Sequence, residues 1–424
     1  MKKVVVISFL AVFCFLGLIL ISNPGCGQNY QAFRDERESL ISKSKWRLGP
    51  FSVQPSFLLD FRYDNNIYGK NKASNPISDY IATFSLPFSI NLLLGNWLIF
   101  SLPDVPSYDY YFEHKQQRSF NNSYAPTLRI LLFNRFPISG GYLYSRARQQ
   151  WTTEMDRPVF LLTRGYNGSF FYDTIRSTSF GVAASMLEFN YEDITLPRAN
   201  VPLAIALNRI EKNARLEFYR KIFSDSFFFA TFGYTENSFD DPQSRFRDSY
   251  SYQAYTGIRF PLIGRAEGTL SVGYKKLTPK DKSLQGYSGP VGNTGLNLRF
   301  SRFGFRVQYI RDVPFSYEKN NIFYISNTLG AGISIYLTQS IRLDYDFSHG
   351  TGSYPEPVQI ILPDGSYGEI ARQDTYLIHS AGIVFRIIRN IGIGLRANYW
   401  ERESNDIQAG MSRGLVGVYM TYDF

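Results

Sequence analysis

Apolar residues occupy every second position through most of this chain. At the C-terminal end Val416, Val418, Met420, Tyr422 and Phe424 form one wholly apolar face, and the positions between them are mixed. Because side chains on a β-strand alternate between its two faces, this spacing predicts a strand that is apolar on one side only.

Stretches of the same kind predict about 18 strands. They lie at 51–63, 79–92, 97–112, 123–134, 138–147, 165–174, 178–191, 207–221, 225–237, 249–262, 264–277, 289–301, 303–315, 321–337, 340–349, 372–388, 391–402 and 411–424. The third stretch is interrupted by Pro103 and Pro106, which lack the N–H that a ladder needs. It is expected to bend outward or to form two pieces, so a count of 16 strands is the alternative.

The connections between these stretches alternate in length. Short ones such as Gly95-Asn96 and Ser301-Arg302 alternate with longer, polar ones such as 148–164 and 350–371. Outer-membrane barrels place short turns in the periplasm and long loops outside. The chain is therefore predicted to be all-β, a transmembrane antiparallel up-and-down β-barrel with both termini in the periplasm.

The composition suits strands of this kind. The 424 residues are 44% hydrophobic, 17% aromatic and only 19% charged, and no apolar run long enough for a membrane helix follows the N-terminal leader. With only 3 His and 2 Cys, we expect no metal site and no cofactor. We expect no enzyme activity, because the neighbours His379 and Ser380 would point to opposite faces of a strand and could not cooperate.

The first 50 residues are not part of the predicted barrel. Two lysines and a long apolar core predict a signal peptide at 1–28. Gly25-Cys26 resembles a lipoprotein cleavage site, although Asn23 and Pro24 depart from that pattern, so acylation of Cys26 is an alternative to cleavage elsewhere. The polar, charge-dense residues 29–50 are predicted to be a periplasmic segment, and 51–424 the outer-membrane barrel.

Two parts of the chain resemble known families. The C-terminal strand, with Val418, Met420, Tyr422 and Phe424, resembles the terminal strand of bacterial outer-membrane β-barrels, which is the signal read by their assembly machinery. Leu48-Gly-Pro-Phe51, Pro55-Ser56 and Tyr63-Asp-Asn-Asn-Ile-Tyr-Gly69 resemble the start of the β-barrel porins associated with exopolysaccharide export operons. The resemblance implies a porin in an exopolysaccharide context.

Charged strand positions are predicted to face the bore, because a charge facing lipid at the membrane centre costs about 2–4 kcal/mol. The predicted pore-lining residues are Arg62, Arg129, Arg215, Arg259, Lys275, Arg299, Arg306, Arg342, Asp344, Asp346, Arg386, Arg396 and Arg413. Arginine and lysine rings bias a pore toward anions. The alternative is that these cations pair with inward carboxylates as a structural ladder.

Two long connections carry further signals. One contains Val201, Pro202, Leu203, Ala204, Ile205, Ala206 and Leu207. This run is too apolar to lie in water, so it is predicted to fold into the mouth as a constriction loop; the alternative is that it extends its two strands upward. In the second connection, Pro363-Asp-Gly-Ser366 lies between two apolar-rich runs and predicts a hairpin.

These patterns predict an outer-membrane porin-like channel for exopolysaccharide or small anionic solutes. The expected partners are outer-membrane lipids, the barrel assembly machinery, and a polysaccharide or small solute. The net charge of +9 is spread singly along the strands, so no nucleic-acid partner is expected. The alternative function is a plugged barrel whose surface loops bind a ligand, a host or a partner protein.

Overall fold

The computed structural model describes residues 29–44, 46–71, 74–149, 158–174, 178–192, 202–223, 226–262, 266–316, 318, 321–361, 367–406 and 409–423. The predicted signal peptide with Cys26, the loop residue Val201 and the terminal Phe424 lie outside the described residues. Within the described ranges no helix is both long and apolar enough to cross a bilayer.

The described chain contains two α-helices, two 3-10 helices and 24 β-segments. The helices are α1 Asn29–Lys43, α2 Leu203–Leu207 and the 3-10 turns Lys115–Gln117 and Pro242–Arg247. The first twelve β-segments are β1 Trp46–Leu48, β2 Phe51–Asp64, β3 Asp79–Ser85, β4 Phe88–Leu94, β5 Leu98–Asp104, β6 Ser107–Tyr111, β7 Ser119–Tyr124, β8 Thr127–Leu132, β9 Phe136–Gln149, β10 Val159–Asp173, β11 Thr178–Tyr191 and β12 Arg209–Lys221. The others are β13 Phe227–Phe239, β14 Ser249–Leu262, β15 Ala266–Pro279, β16 Tyr287–Arg299, β17 Phe303–Asp312, β18 Ile325–Tyr336, β19 Ile341–Ser353, β20 Val358–Ile361, β21 Tyr367–Ile370, β22 Gln373–Ile388, β23 Ile391–Ser404 and β24 Met411–Asp423.

A single antiparallel sheet closes on itself. It holds 22 of the segments, and β24 returns to pair with β2 from Ser56–Asp423 to Asp64–Leu415. The two remaining segments, β20 and β21, pair antiparallel as predicted for a hairpin, and the turn Pro363–Ser366 between them lies outside the described residues. The predicted all-β antiparallel barrel is therefore confirmed.

Three of the predicted strands are each divided into two segments; two pieces were an expected outcome for the stretch 97–112 but not for 79–92 or 123–134. Two residues separate β3 from β4, β5 from β6 and β7 from β8, and the second of them is Pro87, Pro106 or Pro126. Because proline cannot donate to the ladder, the partner changes at each break; β2, for example, pairs with β3 over one half and with β4 over the other. The two segments of each divided strand together cross the wall once. The expected count of about 18 strands, or 16, is therefore corrected: the closed sheet contains 22 segments, because three of the predicted strands are divided and the short β1 is added.

A second correction concerns the stretches predicted at 303–315 and 321–337. β17 ends at Asp312 and β18 begins at Ile325, so the connection is longer than the alternation indicated. We call its described residues 313–316, 318 and 321–324 loop 313–324. Pro314 has no backbone N–H that could continue the hydrogen-bond ladder. Ile322 and Phe323 are buried in a cluster with inward wall residues, and their burial away from the sheet outweighs the tendency to continue the strands.

The outer face of the barrel is apolar and carries aromatic residues at two heights. In β24 Val416 is 62% exposed, whereas its neighbour Gly417 is buried. Near the short turns Phe136 packs against Phe170 and Tyr172 with ring centroids 6.0 and 5.2 Å apart. Toward the other end lie tyrosine pairs; the pairs and their centroid separations are Tyr124–Tyr144 at 4.8 Å, Tyr142–Tyr166 at 5.0 Å and Tyr234–Tyr252 at 5.2 Å. Two aromatic girdles around an apolar band are typical of a barrel that spans a membrane.

Candidate functional site

The predicted pore-lining cations project inward, and nine of the eleven are ion-paired. The pairs are Arg62–Asp60 at 2.6 Å, Arg129–Glu36, Arg215–Glu217 at 3.5 Å, Lys275–Asp312 at 3.5 Å, Arg299–Glu267 at 3.8 Å, Arg306–Asp346, Arg342–Asp344 at 2.8 Å, Arg396–Asp60 at 2.6 Å and Arg413–Asp64. The bore is therefore lined by alternating charges of both signs. This arrangement favours the structural-ladder interpretation for most of these residues.

Arg259 and Arg386 differ from the other nine. Each lies on the inner face, Arg259 on β14 opposite Thr269 and Arg386 on β22 opposite Gly392. Within the part of the chain that the structure describes, neither forms an ion pair with a carboxylate. They are therefore the two predicted pore-lining cations that no carboxylate of the described chain neutralises.

The ion pairs beside the closure of the barrel are buried. Asp60 of β2 is 1% exposed and lies between Arg62 of its own strand and Arg396 of β23. Arg62 also donates to Thr83, at 2.8 Å, and lies 3.6 Å from Asp109. Charged groups this deeply buried are stable only when each has partners, and here the partners come from both sides of the junction.

The motif Tyr63–Gly69 joins the first strand to the last. Asp64 accepts hydrogen bonds from Arg413 of β24, one of them 2.8 Å long. The side chain of Asn65 accepts from the N–H of Gly414 at 2.7 Å, and that of Asn66 donates to the carbonyl of Ser412 at 3.0 Å. Three residues of the segment that carried the family resemblance thus bind the last strand beside the closure of the barrel. Throughout the described residues no group of His, Cys, Asp and Glu is arranged to hold a metal ion.

Replacing Arg413 with methionine should lower the stability of the barrel strongly. The change leaves Asp64 buried and unpaired, which costs about 3–5 kcal/mol. The Arg306–Asp346 pair is the matched control, because both of its members are more than 40% exposed and exposed pairs contribute only about 0–1 kcal/mol. The measurement is the temperature at which the heat-modifiable barrel unfolds; equal shifts for Arg413→Met and Arg306→Met would contradict this role.

The described residues at the end of the predicted constriction loop form the short helix α2. Leu203 and Leu207 of α2 are buried against Val159, together with Ala206. Val159 is an inward position, since its strand neighbour Phe160 faces outward, so α2 covers the inner side of the wall. Residues 202–207 thus lie against the inner wall, and a narrowing of the channel by this loop stays a prediction.

Loop 313–324 also packs against the inner wall, and the alternation along the chain did not indicate it. Ile322 and Phe323 pack against the inward residues Leu277 and Tyr287, and the carbonyl of Val313 accepts a hydrogen bond of 3.0 Å from Lys275. The loop therefore folds back onto the inner wall. Its high content of apolar residues for a connection is the signal that could have revealed it.

Arg247 fastens this loop to α2. The side chain is 2% exposed and donates to the carbonyls of Ala206, Ser316, Glu318 and Asn321. Its guanidinium also lies 4.8 Å from the ring centre of Phe315. One buried cation thus links its own 3-10 turn to α2 and to loop 313–324 at the extracellular mouth.

Arg372 holds the other side of the same loop. It is completely buried between Glu318 and Asp374, and the Asp374 bond is 2.7 Å long. Burial lowers the pKa of Arg372, but Tyr354, Asp374 and Glu318 together outweigh it and hold that pKa well above its usual value. The arginine therefore stays charged at any physiological pH.

Helix α1 lies inside the opposite end of the barrel. Phe33 is buried against Leu93, Ile99 and Leu131 near the short turns, and Glu36 of the helix pairs with the inward Arg129. Gln54, an inward residue of β2, donates to the carbonyl of Leu40 at 3.0 Å. The spacing of Phe33, Leu40 and Ile41 is that of one helix face and is the signal that could have predicted this helix.

Similarities to known proteins agree with this architecture. Residues 208–424 match the model of the family described as Putative beta-barrel porin 2. The outer membrane protein OpdK from Pseudomonas aeruginosa is 10% identical, with 88% of this chain and 98% of that chain covered at a TM-score of 0.50. Its structure with vanillate is 9% identical, with 88% and 99% covered at a TM-score of 0.50. At such identities the likeness concerns the fold alone, and no curated protein matches the sequence significantly.

The closed barrel, its lipid-facing girdles and its charged bore define a porin-like channel of the bacterial outer membrane. The matched region spans just over half of the chain. The chain belongs to the Putative beta-barrel porin 2 family.

Proposed function

We propose that this channel passes small anionic solutes. The observation that carries the proposal is the pair Arg259 and Arg386, two inward cations with no ion-paired carboxylate among the described residues. The other nine predicted pore-lining cations each have a carboxylate partner. Uncompensated arginines raise the local concentration of anions and lower their barrier to passage.

The exposed ion pairs support the same role. Arg299 and Glu267 are 60% and 61% exposed, and Arg306 and Asp346 are 59% and 44% exposed. Side chains so accessible to solvent within the barrel surround a wet passage. Arginines in such pairs can exchange their carboxylate partner for a passing carboxylate or phosphate, because the same bidentate geometry serves all three groups.

Reversing the charge of both unpaired arginines should shift the reversal potential toward cations. The test is Arg259→Glu with Arg386→Glu in a planar bilayer under a salt gradient, with chloride and then vanillate as the anion. The control is Arg342→Gln with Asp344→Asn, which removes one complete ion pair and leaves the net charge of the bore unchanged. If the variant with both arginines replaced by glutamate has the same reversal potential as the wild type, the proposed anion preference is wrong.

Within the described residues, the inward aromatic residues considered for sugar contact do not support passage of exopolysaccharide. Inward aromatic residues are the groups that would stack on sugars, but Tyr219 is buried with its hydroxyl donating to Glu217. Tyr255 packs against the cluster beneath loop 313–324. The ring of Trp400 is already occupied by the guanidinium of Arg402, 5.8 Å away.

The plugged barrel is the second candidate, and the elements inside the bore favour it. Helix α1 covers the inner wall at one end, and α2 and loop 313–324 cover it at the other. Conductance of the refolded wild-type chain separates the two functions. Open-channel steps support the channel, and a silent bilayer containing folded protein supports the plug.

A further inference from the structure

A cluster of arginines lies on the outer wall beyond the upper tyrosine girdle. We call it the rim patch: Arg118, Arg146 and Arg148, with the rings of Tyr110 and Phe160. The guanidinium of Arg118 is 3.7 Å from the ring centre of Tyr110. Those of Arg146 and Arg148 are 5.8 and 4.7 Å from the ring centre of Phe160. Stacking on aromatic faces holds the three charges in fixed positions.

The rim patch faces away from the bore. On β9, Leu143 and Ser145 are buried inward positions, so the alternate residues Arg146 and Arg148 share the outer face with Tyr142 and Tyr144. Phe160 of β10 lies directly opposite Arg148 in the register. These arginines therefore meet whatever surrounds the barrel and take no part in the passage of solutes.

The height of the rim patch places it at the headgroups of the outer leaflet. Arg146 follows Phe136, which belongs to the girdle at the short turns, by ten positions along β9. With a rise of roughly 3.3 Å per residue and a tilt of about 40°, this separation is about 25 Å along the membrane normal, which equals the height of the apolar band. Long loops mark this end of the barrel as extracellular.

The charges of the rim patch are uncompensated. Among the residues that the structure describes, Arg118, Arg146 and Arg148 form no ion pair, in contrast to most arginines of the bore. Arg118 donates to the carbonyl of Tyr111, and Arg148 to the amide oxygen of Gln117. The carboxylate of Glu192 is bonded instead to the backbone N–H of Phe160, at 3.1 Å. Arg148 Nε is buried and has no hydrogen-bond partner in the described chain.

We propose that the rim patch binds the phosphate groups of a phosphorylated lipid in the outer leaflet. Arginine matches phosphate geometry with parallel hydrogen bonds, and three fixed arginines supply the charge that a diphosphorylated headgroup requires. The patch continues directly into the lipid-facing tyrosines. A ligand that contacts both the arginines and the tyrosines must carry acyl chains beneath its phosphates. A soluble anion and an acidic protein have no such chains.

Titration of the folded, full-length chain in neutral detergent tests the proposal, with bound lipid counted by native mass spectrometry. The probes are diphosphorylated lipid A, the same lipid after enzymatic removal of its phosphates, and inorganic phosphate. The variant is Arg118→Gln with Arg146→Gln and Arg148→Gln. Each arginine near a lipid surface contributes about fivefold to the affinity. Removal of all three should therefore lower the affinity for diphosphorylated lipid A roughly 100-fold.

The matched control removes three exposed arginines at the periplasmic rim, Arg135→Gln, Arg220→Gln and Arg302→Gln, and should leave the affinity unchanged. Heat-modifiable mobility establishes that each variant is folded. If the triple variant does not fold, the single variant Arg146→Gln replaces it, and its affinity for diphosphorylated lipid A should fall about fivefold. The proposal is overturned if the rim variants bind within about twofold of wild type, if the dephosphorylated lipid binds equally well, or if inorganic phosphate competes at a similar affinity.

Discussion

Replacing Arg247 with methionine should release loop 313–324 from the inner wall and raise the single-channel conductance. The loop is attached to α2 by the hydrogen bonds that Arg247 donates to four backbone carbonyls. Methionine keeps most of the apolar stem but cannot donate. Each buried carbonyl left without a partner costs about 1–3 kcal/mol, so the packed position of the loop should lose most of its population.

The control for this change is Arg245→Met, because Arg245 is an exposed neighbour on the same 3-10 turn. Loop release can also be measured chemically. Ser316 is completely buried, so a Ser316→Cys residue should react slowly with a polar thiol reagent in the wild-type background and quickly with Arg247→Met. Equal labelling and equal conductance in the two backgrounds would show that the loop does not depend on Arg247.

The second large effect is expected from Phe33→Asp, which should undock α1 and increase conductance from the periplasmic end. Phe33 is 5% exposed and fills the apolar contact with Leu93, Ile99 and Leu131. Losing a buried phenylalanine side chain costs about 3–5 kcal/mol, and an aspartate placed there also approaches Glu36 of the same helix. The bound position of α1 should therefore become a minor state.

Ser42→Asp introduces the same charge at an exposed position of α1 and should leave the conductance at the wild-type value. Deletion of 29–44 should give the same conductance as Phe33→Asp, because both remove the helix from the bore. If neither change alters the current, the helix lies beside the path of the ions and does not obstruct it.

The sequence by itself determined the outer surface of this protein and the direction of its side chains. Alternation at positions such as Val416, Val418 and Met420 assigns one face to lipid, because strand geometry leaves no other arrangement. The cost of exposing charge to lipid then assigns Arg342 and Arg396 to the bore. Both assignments depend only on residues that are close together in the sequence of one strand. The class of protein therefore follows from the local alternation of apolar and polar residues.

The proline breaks show where a local pattern stops being sufficient. Pro103 and Pro106 indicated a weak strand in the sequence, but not that neighbouring strands would break at Pro87 and Pro126 as well. Pairing across a break depends on which segment of the next strand offers its N–H groups. That choice involves residues distant in the chain and is decided only when the sheet closes.

Only the tertiary structure decided which charges are balanced and what enters the bore. Arg396 finds Asp60, and Arg413 finds Asp64, because the last strands close against the first. Loop 313–324 is drawn inward by burial against Leu277 and Tyr287, which outweighs the alternation that predicted longer strands. Ion pairing and burial are contacts between residues far apart in sequence, and their free energies exist only after the barrel has brought those residues together.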